Sequence, residues 1–302
     1  MKELITDLQN AQVGRVAENE PMAKHTTWKI GGPADVFIEP DGVDGLVETM
    51  NLIQKHQVPW RAVGRGSNLL VDDAGIEGAV IKLGQNISHL EIEDDIIRVG
   101  GGYSFIKLAT IISKKGLSGL EFAGGIPGTV GGAVFMNAGA HGSDMSDILI
   151  EARVLYPDGS LAWVKNEDMD FSYRTSILQK QQGICVEARL QMQQGDKSSI
   201  VEEMQKHKSY RRQTQPWNYP CAGSVFRNPL PEHAGALIEK SGLKGYRIGG
   251  AQISELHGNF IVNVDNAKAQ DVLAIISHVQ EAIKKRYDID MRTEVELVKR
   301  QA

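Results

Sequence analysis

Seven of the nineteen residues from Gly124 to Gly142, GGIPGTVGGAVFMNAGAHG, are glycine, with no G-x-G-x-x-G among them. Glycine tolerates a backbone approach that any Cβ would block, so another stretch of chain or a ligand must come close here. A second loop, GRGSNLL from Gly64 to Leu70, makes the same demand directly after Val58–Val63, an apolar run that reads as a strand. It lacks the lysine of a P-loop. Successive backbone N–H groups in such loops form concavities that accept phosphate oxygens. Ser67 and Asn68 add side-chain donors, and Pro127 stiffens the later stretch. Either loop alone is accounted for by tight turns between closely packed strands. Two in one chain suit a ligand with a pyrophosphate between two bulky ends, and a flavin dinucleotide is such a ligand. The candidate cofactor-binding residues are Gly64, Arg65, Gly66, Ser67 and Asn68 on the first loop. On the second they are Gly124, Gly125, Ile126, Pro127, Gly128, Thr129, Gly131, Gly132, Asn137, Ala138 and Gly139. His141 reads as a loop residue beside the cofactor, not as a catalyst.

Strands and helices mix around these loops without a regular βαβ rhythm, which predicts an α+β fold rather than a doubly wound sheet. Val43, Leu46, Val47, Met50 and Ile53 keep helical spacing. Ala79–Leu83 reads as a strand, and HLEIEDDIIRVG as a hairpin turning at Asp94–Asp95. Ser104 is placed to cap a helix that carries Phe105, Leu108, Ile111 and Ile112 and ends at Gly116. RVLYPDGSLAWV is a hairpin around Pro-Asp-Gly, and ICVEARL a buried strand. The polar helix DKSSIVEEMQKHKSYRRQ then marks a boundary. Beyond it come a glycine-proline loop, Asn218–Pro231, a short helix near Ala234–Ser241 and a strand, NFIVNV. A long helix follows, with Val272, Ile275, Ile276, Val279 and Ile283 on one face, and MRTEVELV closes as an alternating strand. A chain of 302 residues has room for two or three domains. The expected division is 1–84 and 85–200 as two lobes of a cofactor-binding region, with 201–302 as a C-terminal domain.

A net charge of −5 argues against a nucleic-acid partner. No apolar run reaches the roughly 20 residues of a membrane helix, and the acidic, amphipathic MKELITDLQN is unlike a signal peptide. Cys185 and Cys221 form neither a C-x-x-C nor a zinc spacing, which fits free thiols in a reducing cytoplasm and no metal site.

Taken in order, HTTWKIGGPAD (25–35), GRGSNLLVDDAG (64–75), GGIPGTVGGAVFMNAGAHG (124–142), FSYRTS (171–176), CAGSVFRNP (221–229), SGLKGYRIGGAQIS (241–254), NFIVN (259–263) and TEVEL (293–297) resemble the UDP-N-acetylenolpyruvoylglucosamine reductases. These are flavoenzymes of peptidoglycan synthesis, and the likeness spans nearly the whole chain. The resemblance implies a two-lobed FAD-binding domain of the vanillyl-alcohol-oxidase (PCMH) type, followed by a smaller α+β substrate-binding domain. It implies an oxidoreductase in which NADPH reduces noncovalent FAD and the enolpyruvyl group of a UDP-sugar becomes a lactyl ether, giving UDP-N-acetylmuramate. It also implies a cytoplasmic protein with small-molecule partners, and a monomer. Some relatives carry an insertion with a tyrosine that folds over the nucleotide. Only fifteen residues separate Leu190 from KHKSYRR here, so the chain resembles the short class that lacks it.

The same resemblance assigns three catalytic residues. Arg174, in SYRTS, matches an activating arginine whose guanidinium grips a carboxylate through two parallel bonds. Glu294, in TEVEL, matches a second activating residue; beside a substrate carboxylate it works when protonated and donating a hydrogen bond, as like charge and desolvation favour. Glu296 is its rival on the same face of an alternating strand. Ser224, in CAGSVFRNP, matches the proton donor to a carbanion, with Arg227, Lys206, Arg211 and Arg212 as candidate cations beside it. Without the resemblance, Arg174 reads as a loop ion-pair residue, Glu294 as a solvent-facing strand residue and Ser224 as a turn residue. Where relatives commonly carry lysine and proline, this chain has Arg227 and Thr293. Gln215, Arg227 and Asn228 are candidate substrate contacts. Two other readings compete. One is a flavin oxidase or dehydrogenase of the same superfamily; those often attach FAD through His or Cys, which Ala62–Leu70 lacks. The other is a nucleotide-binding protein without catalysis, which needs no proton donor.

Overall fold

Apolar spacing places the helices. The structure, a computed structural model, describes residues 1–300. Its helices are α1 (Lys2–Asn10), α2 (Gly42–Lys55), α3 (Phe105–Lys114), α4 (Val130–Phe135), α5 (Ile177–Gln181), α6 (Lys197–Thr214), α7 (Ala234–Lys240) and α8 (Ala269–Tyr287). Helix α2 buries Leu46, Met50 and Ile53, and α8 buries Val272, Ile275, Ile276, Val279 and Ile283. Ser104 Oγ accepts the Lys107 N–H at 3.4 Å to cap α3, and Gly116, at φ +77°, follows its end. No helix among the described residues is long and apolar enough to cross a membrane.

The larger sheet has five strands in the order Leu161–Lys165, Leu149–Leu155, Ile184–Gln191, Ile96–Gly100 and Leu90–Glu93. All its pairings are antiparallel. The expected hairpin pairs Glu93 with Ile96, so Asp94 and Asp95 are its two turn residues, with Asp94 at φ +54°. ICVEARL is the central strand and lies buried apart from Arg189. One acidic group sits inside this sheet: Glu187, 3% exposed, is held by the Arg98 guanidinium and by His89, and that pairing raises the affinity of Arg98 for its proton. A second sheet runs Gly14–Pro21, Pro33–Pro40, Ile76–Lys82, Trp60–Val63. Its last two strands are parallel, in register from Trp60–Ala79 to Val63–Lys82.

The end of the chain departs from expectation. MRTEVELV is a strand only over Glu296–Val298, paired in parallel with Leu69–Val71. Thr293 makes a single bridge to Phe226, and Glu294 and Val295 form a bend between the two pairings. The alternation persists through a change of partner strand, which a periodic pattern does not encode.

Two compact units result. The first comprises Met1–Glu18, Val36–Arg65 and Gly78–Tyr210; the second comprises Asn19–Asp35, Gly66–Glu77 and Arg211 onward. The first holds two apolar clusters. One surrounds α3 and α4 with Ile97, Phe105, Phe122 and Met204, and the other surrounds α1 and α2 with Leu4, Leu8, Ile38 and Ile81. The second unit is built on Trp28, Phe226, Ile238 and the buried face of α8. Its early segments are tied in by long-range bonds: Trp28 Nε1–H donates to Ile261 O at 2.7 Å, and Asp73 accepts the N–H groups of Ala269 and Gln270 at the start of α8.

Helix α1 is tethered to α2 by Asp7, whose carboxylate accepts from Lys55 Nζ and meets His56 Nε2, each at 2.8 Å. These hydrogen bonds, Lys55 first, hold Asp7 below its ordinary carboxylate value of 3.8. A lowered folded-state value contributes stability that is present above the unfolded value and lost as pH falls through the folded one. Asp7→Asn is therefore expected to melt below the parent at pH 7, with the gap narrowing as pH falls below 3.8. A gap at pH 7 no larger than in acid would show that the carboxylate charge is not what links the two helices.

Candidate functional site

The two glycine loops meet. A Cβ placed on Gly64 would come within 2.6 Å of Thr129 Oγ1, so the first loop begins against the second. Gly66, at φ +64°, has a different constraint: a side chain there would run into the His25 carbonyl, so its glycine is fixed by neighbouring chain as well as by any ligand. Arg65 closes one segment of the first unit, and Gly66, Ser67 and Asn68 open one of the second. The later stretch is not all loop. Gly124 and Gly125 end a short 3-10 turn, Ile126, Pro127 and Gly128 are extended or bent, and Thr129 caps α4, accepting from the Gly132 N–H at 3.2 Å. Gly131 and Gly132 lie inside α4, and Ala138 and Gly139 follow it.

Two observations bear on a phosphate-bearing cofactor. The N–H groups of Arg65, Gly66, Gly128 and Thr129 donate to no partner among the described residues. Thr27 Oγ1 is buried and has no hydrogen-bond partner, and the Thr27 N–H donates to Gly66 O at 3.3 Å. Unused backbone donors and an orphaned hydroxyl are what an anionic, polar ligand completes, so these residues fit the cofactor the sequence implies. Asn137 differs. Its amide donates to Asp144 and to Ser172 O, both at 3.2 Å, and accepts from the Ser146 N–H at 3.1 Å. It ties the glycine stretch to the FSYRTS turn and has only its backbone to offer a ligand. Because the Cβ of residue 64 faces a side chain and not backbone, Gly64→Val is the clean probe. It is expected to keep the parental circular dichroism and to purify with much less than one FAD per chain. Stoichiometric FAD in a folded variant would remove this loop from the cofactor site.

Arg174 sits at the second corner of a two-residue turn. Ser172 and Thr175 exchange backbone bonds of 3.1 and 3.0 Å, and Arg174 takes φ +56°, which a non-glycine residue holds only at a cost of roughly 1–3 kcal/mol. Its surroundings determine the conformation. Gln179 Nε2 donates to Arg174 O and to Phe135 O, both at 3.0 Å. Arg174 Nη1 donates to Gly139 O at 3.1 Å, and its guanidinium lies 5.5 Å from the centre of the exposed Tyr173 ring. The guanidinium thus lies against the glycine stretch that follows α4. His141, also in that stretch, stacks on His207 with ring centres 3.9 Å apart, an aromatic contact between the loop and α6.

Ser224 and Glu294 come together in the second unit. The Glu294 N–H donates to Val225 O at 2.8 Å, and the Arg227 N–H to Arg292 O at 2.9 Å. Ser224 is half-buried, follows Gly223 at φ +60°, and its hydroxyl has no hydrogen-bond partner among the described residues. Asn68 Nδ2 donates to Glu294 O at 3.2 Å, and the Glu296 N–H to Asn68 O at 2.9 Å, so the first glycine loop also fixes the Glu294 bend. Glu294 is half-buried at that bend while Glu296 is exposed on the strand. Arg174 belongs to the first unit.

The remaining candidates fall into place unevenly. Gln215 Oε1 accepts from Arg211 Nε at 3.2 Å, and the positive charge of Arg211 is felt at Cys221. Arg212 lies over the Trp217 ring at 4.5 Å, and Lys206 pairs with Glu203 at 3.5 Å. Arg227 is exposed, and Asn228 Oδ1 accepts the Ala234 N–H at the start of α7, a role in the scaffold that sequence reasoning missed. Burial pushes the Cys185 thiol up to about 12 and raises Cys221 too, so neither supplies a thiolate nucleophile.

Known proteins carry the same pattern. Residues 34–165 match a family model described as FAD binding domain, and residues 215–298 match one described as UDP-N-acetylenolpyruvoylglucosamine reductase, C-terminal domain. The chain is 61% identical over 299 residues to the UDP-N-acetylenolpyruvoylglucosamine reductase of Bacillus subtilis, covering 99% of each. It is 63% identical over 301 residues to that of Anoxybacillus flavithermus, covering 99% of this chain and 100% of the relative. The crystal structure of UDP-N-acetylenolpyruvylglucosamine reductase from Thermus caldophilus superposes with a TM-score of 0.83 at 36% identity, over 94% of this chain and 98% of that one.

Proposed function

The chain belongs to the UDP-N-acetylenolpyruvoylglucosamine reductase family, and from that premise we propose that Arg174, Ser224 and Glu294 carry its reaction. It is an FAD-dependent oxidoreductase of peptidoglycan precursor synthesis that uses NADPH to reduce UDP-N-acetylenolpyruvoylglucosamine to UDP-N-acetylmuramate. When bound, FAD supplies at the enolpyruvyl double bond the hydride that NADPH provides. The residues of the chain have three further tasks. Negative charge builds on the carbon next to the substrate carboxylate and on that carboxylate; Arg174 grips it with a planar fork, and a protonated Glu294 donates to it. Ser224 Oγ–H then gives its proton to the carbon. A hydroxyl is a weak acid in water, but a carbanion is a strong enough base to take its proton, and Arg227 and Arg212 are the cations nearest in sequence to stabilise the alkoxide.

The observation that carries this reading is the pairing of the Ser224 and Glu294 backbones through Val225, with the Ser224 hydroxyl uncommitted. FAD is held by Gly64, Arg65, Gly66, Ser67 and Asn68 together with Gly124–Thr129, Gly131, Gly132 and the backbone of Asn137–Gly139. Gln215, Arg227 and the free amide hydrogens of Asn228 contact the UDP-sugar. We assign 1–84 and 85–200 to the two FAD lobes and 201–302 to the substrate domain. The enzyme belongs to the short class and works as a cytoplasmic monomer, a setting its two free cysteines suit. The test is anaerobic reduction of the purified yellow protein by NADPH, followed by reoxidation with the enolpyruvyl substrate. Bleaching without substrate-dependent recovery of the flavin band would exclude this activity.

A further inference from the structure

One side of the Val225–Arg227 segment that follows Ser224 is held by Glu294 and Arg292; the other is held by one buried amide. Asn259 is 4% exposed. Its Oδ1 accepts the Phe226 N–H at 2.9 Å, its Nδ2 donates to Phe226 O at 2.8 Å, and its own carbonyl accepts the Val225 N–H at 2.9 Å. A side-chain amide thus stands in for a neighbouring strand, satisfying both backbone groups of one residue. The Asn259 N–H donates to His257 Nδ1 at 3.1 Å, which anchors the clamp in turn. Burial, with Lys244 nearby, lowers the affinity of His257 for a proton and leaves Nδ1 free to accept. Immediately before Ser224, Gly223 is at φ +60°, and a Cβ there would meet nothing within 4 Å.

We propose that Asn259 is the positioning residue of the proton-transfer step: by fixing Val225 and Phe226 it sets the direction of the Ser224 hydroxyl. The inference rests on the reading of Ser224 as proton donor. A hydroxyl carried next to a clamped segment moves when that segment loses its partner, and a misplacement of about 1 Å is worth on the order of 10² in rate. Asn259 hydrogen-bonds no residue of the glycine loops, so hydride uptake from NADPH does not depend on it.

The experiment uses full-length, FAD-loaded enzyme and stopped-flow absorbance. Asn259→Asp keeps an acceptor for the Phe226 N–H and turns a second oxygen, in place of the donor, toward Phe226 O. It is expected to be reduced by NADPH at the parental rate and to be reoxidised by saturating substrate roughly 10²-fold more slowly. Combined with Ser224→Ala it should be no slower than Ser224→Ala alone, because a residue acting through another adds nothing once that one is gone. Asn259→Ala, which leaves space for a bridging water, is read in the same way if the aspartate variant does not fold. Parental reoxidation by the Asn259 variant beside a slow Ser224→Ala overturns the positioning role and leaves Ser224 as donor. Multiplying effects in the double variant also overturn it, since Asn259 then acts elsewhere. Parental reoxidation by Ser224→Ala removes the donor assignment, and the positioning role with it.

Discussion

Ser224→Ala is expected to bind FAD, to be reduced by NADPH at nearly the parental rate, and to lose about 10²–10⁴ in the rate of reoxidation by the enolpyruvyl substrate, the usual worth of a positioned general acid. The split follows from the place of the serine. Its hydroxyl is committed to nothing in the protein, it lies next to the residue that bonds Glu294, and none of its neighbours along the chain belongs to the glycine loops. Removing one oxygen leaves the backbone pairing of Val225 and Phe226 intact, so folding should change little. Ser224→Cys keeps a proton in a similar place on a larger atom and should fall between parent and alanine variant. Stopped-flow absorbance follows both half-reactions in one instrument. Loss of NADPH reduction with rapid reoxidation would move Ser224 to nicotinamide binding. Survival of both halves would make water or another side chain the donor.

Local rules were enough for much of this architecture. Ser104 and Gly116 delimit α3, Asp94 and Asp95 turn their hairpin, and the apolar stripe of α8 faces the second core, because caps, turns and periodicity act over a few residues. The glycine count announced close approaches correctly but not what approaches: the Gly66 side of its loop meets His25, and Gly131 packs against the carbonyls of Cys185 and Gly101. What the residue pattern could not carry is long-range. Asn19–Asp35 and Gly66–Glu77 join the C-terminal unit through bonds such as Trp28 to Ile261, and MRTEVELV changes partner strands at the Glu294 bend. The amides of Gln179 and Asn259 escaped notice for the same reason, and that of Asn137 was read as a cofactor contact and not as a brace. Each satisfies the backbone of a distant loop, and a single polar residue in a loop leaves no periodic trace. Of the candidate site, the residue types came from resemblance, while Glu294 stands apart from Glu296 only once its partners are known.

Arg174→Ala should lose about 10²–10³ in kcat with the substrate, the usual loss for one donor to a developing negative charge, while keeping FAD. The fall should appear in kcat and kcat/KM together, because the grip tightens as charge builds on the substrate carboxylate. Arg174→Lys should recover only part of it, since an ammonium cannot reproduce a planar fork. The turn itself supplies the control. Arg174 is held at φ +56° by Gln179, whose amide bridges Arg174 O and Phe135 O at 3.0 Å. Gln179→Leu removes both bonds without touching the guanidinium. It should therefore lower kcat less than Arg174→Ala, and add nothing when combined with it. Arg174→Gly separates conformation from charge: glycine relieves the left-handed strain, so the variant should melt no lower than the parent yet be as slow as alanine. Near-parental turnover in the alanine and lysine variants would make Arg174 a structural brace for Gly139. Glu294→Gln is the matching measurement on the other activating residue. A neutral amide still donates, so it should be damaged less than Glu294→Ala, and equal loss in the two would rule out a protonated Glu294.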